Sequence, residues 1–176
     1  MKRLFEILDI TVYNTVFSIL FLAGLILTVC EINIYRSTFI NVALPVSLWL
    51  MPGIVATPFI ANTLAKHYNT HSIFLQLVYN ICTWGGIVVY VFIASNFYFA
   101  RGDISSVEVP IQQTGHLAKG RYGCGEPYAE VVYQDIDKQL IFSCDVSVER
   151  YNTVELKIQK GLWGFDVINS QRLLRK

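Results

Sequence analysis

Residues 73–99 constrain this chain more than any other stretch. The run IFLQLVYNICTWGGIVVYVFIASNFYF contains no Asp, Glu, Lys or Arg. At about 1.5 Å of rise per residue, such a helix crosses a hydrocarbon core of roughly 30 Å with some tilt. Before it the chain is mostly apolar; from Arg101 onward it is charged, alternating and rich in turn residues. The stretch therefore joins a membrane half to a water-soluble half. The expected fold class is a helical transmembrane domain over residues 1–100, followed by a small all-β domain over 101–176. Within the run, Gln76, Asn80 and Thr83 fall at i, i+4 and i+7, on one helical face beside Gly86. Amide groups turned to lipid would leave hydrogen bonds unmade, so this face is expected to pack against another helix or a polar cavity.

Two further apolar stretches precede it. Residues 10–30 are free of charge and follow the basic pair Lys2 and Arg3. A secretory signal has a similar start, but this run exceeds a typical signal core and no small-x-small cleavage site precedes Glu31, so an uncleaved span is expected. Residues 39–61 are also free of charge, yet Pro45, Pro52 and Pro58 each remove a backbone donor. The reading is a kinked spanning helix, with a broken or re-entrant helix as the rival. Lys2, Arg3 and Lys66 favour a cytoplasmic N-terminus under the positive-inside rule, which places residues 101–176 outside the membrane. The expected location is a bacterial inner membrane with an extracytoplasmic, periplasmic β domain.

Beyond residue 100 the chain holds ten basic and ten acidic residues. This balance and the lack of a basic block argue against nucleic acid as a partner. Apolar residues alternate with polar ones. Val107, Val109 and Ile111 share one face, and so do Leu140, Phe142, Cys144, Val146 and Val148, and Val154, Leu156 and Ile158. This is the period of half-buried antiparallel strands. The segments 127–133 and 162–168 add two more apolar runs. Residues 135–138 and 160–161 are expected turns, and the end of the chain from Ser170 a short helix or frayed end. Five or six short strands suggest a small SH3-like or OB-like barrel or a sandwich. Trp163, aligned with Phe165 and Val167, is expected in its core, and Tyr90, Phe97, Tyr98 and Phe99 form an interfacial aromatic belt.

The chemistry on offer is sparse. Cys30 and Cys82 sit at or within apolar spans as ordinary small hydrophobes. Cys124 and Cys144 are expected to form a disulfide on an oxidising side of the membrane. His67 and His71 lack a third ligand and the zincin glutamate, so no metal site is expected. His116 and Cys124 lack an orienting third residue. The glycines at 120, 123 and 125 match neither phosphate-loop nor dinucleotide spacing, and no cofactor is implied. No G-x-S-x-G elbow occurs. An enzyme is therefore not expected. The reading is a membrane-anchored binding or assembly protein, such as an immunity-type protein or envelope-complex subunit. Its partners would be the lipid bilayer and another protein or a second copy of itself. The loop 120–128 is the first candidate contact, through Arg121, Tyr122, Glu126 and Tyr128. The competing class is an oligomeric channel or transporter subunit, suggested by the polar stripe and the prolines of the second span.

Overall fold

The structure, a computed structural model, describes residues 2–68, 72–119 and 125–175, with side chains described from residue 12 and residue 67 excepted. It has three long apolar helices followed by a six-stranded antiparallel sheet that nearly closes into a barrel. Two compact units divide the chain. One holds Met1–Ile32 and Val42–Ala94; the other holds Asn33–Asn41 and Ser95–Lys176. The first connection thus belongs with the β-strands, as do the last residues of the third helix.

In the helical unit, α1 runs over Lys2–Arg36 and α2 over Ala43–Tyr68. The third helix comprises α3 (Ile73–Asn80), a π-helical segment (Ile81–Gly85) and α4 (Gly86–Tyr98). The segments Val12–Arg36, Ala43–Lys66 and Ile73–Tyr98 are each long and apolar enough to cross a membrane. The first extends past the expected 10–30, because Glu31 does not stop the helix. The second is one α-helix despite its prolines. Pro45 falls in the first turn, where the missing N–H has no intrahelical partner in any case. Pro52 and Pro58 lie inside the helix. The π segment in the third was not expected, since widening a turn by one residue leaves no mark on an all-apolar run.

Glycines set the helix spacing. A Cβ on Gly24 would collide with the backbone of Cys82 and Thr83, and one on Gly53 with the backbone of Ile81. One on Gly85 would strike the Trp49 carbonyl, and one on Gly86 the Gly24 carbonyl. Small residues let backbones approach where lipid offers no hydrophobic drive to pack, so dispersion and interhelical hydrogen bonds hold such contacts.

In the second unit the strands are β1 (Thr38–Phe39), β2 (Ser105–His116), β3 (Pro127–Tyr133), β4 (Ile136–Ile141), β5 (Thr153–Lys160) and β6 (Asp166–Leu174). Their order is β1-β6-β5-β2-β3-β4. Strand β2 pairs with β5 over Ser105 to Pro110, then leaves it to pair with β3 from Ile111. Pro110, which cannot donate to a ladder, sits at this change of partner. The two edges approach through side chains: Gln171 of β6 donates to the Ile141 carbonyl of β4 at 2.6 Å, and Lys138 of β4 donates to the Thr38 carbonyl of β1 at 2.8 Å. Phe39, Val109, Ala129, Val131, Leu140, Val148, Val154, Leu156 and Ile158 form the core. The alternation of β2 and β5 thus delivers Val109, Val154, Leu156 and Ile158 to one interior.

Three segments depart from expectation. The expected strand through Val148 stops at Ile141; Phe142 and Val146 still pack on the core, but Cys144 is exposed in a turn. The hairpin turn expected at 135–138 is tighter. Gln134 and Asp135 both take positive φ (50° and 61°), so β4 starts at Ile136. The chain end from Ser170 is neither helix nor frayed, because Leu174 pairs with Thr153 and Leu173 with Val154.

Candidate functional site

In the helical unit, Gln76, Asn80 and Thr83 are all buried. The Asn80 amide donates to the Thr57 hydroxyl of α2 at 3.2 Å, and that hydroxyl donates to the Gly53 carbonyl at 2.7 Å. The chain of bonds thus reaches the backbone one turn back from Thr57, at the glycine against which Ile81 of the π segment packs. Asn80 Oδ1, Thr83 Oγ1 and Trp49 Nε1 are buried without a hydrogen-bond partner among the described residues. Tyr79 donates to the Phe17 carbonyl at 2.5 Å and Tyr68 to the Asn14 carbonyl at 3.0 Å, fastening α3 and α2 to α1. Leu64, Tyr68, Leu75, Gln76 and Tyr79 line a mostly apolar cavity of about 180 Å³.

In the β unit, the loop singled out from the sequence joins β2 to β3. Arg121, Tyr122 and Cys124 lie outside the described residues. Glu126 is exposed; Tyr128 is half-buried opposite Gly115 on β2. A Cβ on Gly115 would meet the Tyr128 hydroxyl at 2.6 Å, so the glycine makes room for the ring to lie across the strand. The register places this loop at one end of β2, while Ser105 at the other end pairs with Ile158. Twelve residues of strand separate the two ends, a path of roughly 40 Å at about 3.3 Å per residue.

At the Ser105 end, the last turn of α4 meets the turn between β5 and β6. Asn96 is almost wholly buried. Its side-chain oxygen accepts from the Trp163 backbone N–H at 3.0 Å, and its amide donates to the Phe165 carbonyl at 3.3 Å. Its own carbonyl accepts from the Leu162 N–H at 3.3 Å. A Cβ on Gly161 would collide with the Asn96 amide. The Trp163 indole donates to the Ser95 hydroxyl at 2.9 Å. Trp163 is 55% exposed and not a core residue as alternation suggests, because it lies in the turn before β6 begins at Asp166. Asp166 is buried and pairs with the exposed ammonium of Lys160 at 2.8 Å.

Lys138 was not singled out by sequence, yet its environment is unusual. It is 6% exposed, and its ammonium donates to the carbonyls of Tyr35 at 2.6 Å and Thr38 at 2.8 Å. It also lies 4.0 Å from the centre of the Tyr35 ring. These carbonyls belong to the C-terminal end of α1 and the strand after it, where a helix carries partial negative charge. Burial pushes the Lys138 pKa down to about 8. Beside it, Asn33, Arg36, Ser37, Gln139, Leu140, Ile141 and Gln171 line a cleft of about 240 Å³. Its Gln139 amide is engaged by Glu130 at 2.8 Å.

A scan against models of known protein families finds no match for the chain, and comparisons with curated proteins and solved structures likewise find none. The reading of function therefore rests on the geometry above.

Proposed function

We propose that this chain is a membrane-anchored binding or assembly protein, with three spans and a β domain that receives a protein partner or a second copy of the chain. The observation that carries this reading is the register of β2. Strand β2 pairs with β5 at Ser105 and with β3 at His116, so the segment that joins β2 to β3 leaves from the end of β2 away from Ser105. Loops on a rigid sheet commonly carry binding, and Tyr122, Tyr128, Arg121 and Glu126 bring the aromatic and charged groups found at interface centres and rims. An immunity-type protein or an envelope-complex subunit fits this layout. The location that fits it is a bacterial inner membrane, with the N-terminus cytoplasmic and the β domain periplasmic. In that compartment Cys124 and Cys144 would be joined.

Affinity capture of the full chain in mild detergent, repeated with Tyr122→Ala and Tyr128→Ala, tests the reading. A partner or a second copy recovered by the native chain and lost from both variants supports it. A monomer that recovers nothing and conducts ions in reconstituted bilayers would overturn it in favour of the channel reading, which the buried Asn80 Oδ1 and Thr83 Oγ1, unpaired among the described residues, support.

A further inference from the structure

We infer that the turn between β5 and β6 is a membrane-interface anchor, in which Leu162 and Trp163 join Tyr98 and Phe99 at the boundary between lipid headgroups and acyl chains. The depth follows from one contact. The Trp163 indole donates to Ser95, and Ser95 lies within the span Ile73–Tyr98, about one turn from its end. A ring bonded to Ser95 is therefore at the level of that last turn, although it belongs to the β domain.

The exposures point the same way. Leu162 is 48% exposed, Trp163 55%, Tyr98 67% and Phe99 56%. Four exposed large apolar side chains within about one turn of the end of the span would be costly against water. Against the interface they are favoured. Tryptophan and tyrosine concentrate there because each offers an apolar ring with one polar handle. Just past the span, the Arg101 backbone N–H donates to the Lys160 carbonyl at 2.9 Å, which ties the chain leaving the helix to the end of β5. Asn96 holds the turn in this pose through three hydrogen bonds. Continuity with the span names lipid as the occupant. The inference depends on the third span and not on the proposed partner, so the two can fail separately.

The test is tryptophan emission from the full chain reconstituted in phosphatidylcholine vesicles, with bromine carried on the acyl chains either near the headgroup or near the chain end. Trp49 and Trp84 also emit, so the contribution of Trp163 is taken as the difference between the native protein and Trp163→Phe. Its emission should be blue-shifted and lost mainly with the bromines near the headgroup. A second protein, Leu162→Trp with Trp163 retained, should show added emission quenched by the same lipids, and it keeps the test decisive if Trp163→Phe reconstitutes poorly. Water-like emission, quenched by iodide and untouched by bromine, would overturn the inference. Blue-shifted emission untouched by either quencher would also overturn it, and would mean that protein, such as a second copy, covers the patch.

Discussion

Lys138 holds a positive charge where water hardly reaches, and the sign of its effect on stability can be worked out. Its folded pKa, about 8, lies below the ordinary lysine value of 10.5. Below pH 8 both folded and unfolded chains carry the proton, and the desolvated ammonium costs the fold about 3 kcal/mol relative to its neutral form. Between the two values the unfolded chain holds more protons, so stability rises with pH across that window. Melting of the native protein and of Lys138→Met, in detergent from pH 7 to 10.5, should show the native protein gaining on the variant above pH 8. Parallel profiles would mean that the two carbonyls and the Tyr35 ring offset the desolvation. Asn96 gives a second prediction at this scale. In Asn96→Leu the Trp163 N–H loses its bond to the Asn96 side chain, and the Phe165 carbonyl keeps the Gly161 N–H but loses its second donor, at about 0.5–1.5 kcal/mol for each hydrogen bond removed. A lowered melting midpoint in the same detergent is the expected result, and Gly161→Ala should lower it as well by displacing the same amide.

Helices and strands differ in how openly the chain announces them. The three apolar runs are legible because a bilayer demands length and lack of charge, and both can be counted. Strands β2 and β5 are legible because each presents Val, Leu or Ile to one interior at every second position. Strand β1 is not, since two residues carry no period, and nothing local marks Thr38 and Phe39 as the sixth strand. The middle of β6 reads Asn169-Ser170-Gln171-Arg172, four polar residues with no apolar face to betray them; pairing with β5 holds them in the strand. Trp163 escapes the alternation because it lies in a turn before β6 begins, where the period of two does not apply. The helix seam follows from backbone proximity, which residue types only hint at through glycine. Gly53→Val should therefore be severe, since Ile81 meets it with backbone that cannot rotate away. Overpacking of about 1–3 kcal/mol is expected, read as a fall in melting midpoint or in the fraction recovered folded.

For the whole molecule, the orientation and the disulfide are linked predictions. Reporter fusions at Lys66 and after Lys176 should report the cytoplasm and the outer face respectively; a cytoplasmic signal from the second would reverse the orientation. Peptide mapping without reductant, on protein from its native compartment, should recover Cys124 joined to Cys144, a closure worth about 3 kcal/mol in the chain-entropy view. Two free thiols there would remove the bond and one support for the orientation.

Strand β1 also has a bearing on how the protein is made. Thr38 pairs with Val167 and Phe39 with Asp166, so the sheet cannot be completed until Asp166 and Val167 have left the ribosome. By then the first connection has long been in place, waiting beside a membrane. Pairings so distant in sequence form slowly, because the intervening chain must be ordered before the contact repays it. Until β6 arrives, β5 keeps an unpaired edge and the Lys138 ammonium lacks the settled carbonyls it will meet. A nascent chain halted in this interval would be a natural target for membrane chaperones and proteases, and its lifetime would be set by the last nine-residue strand.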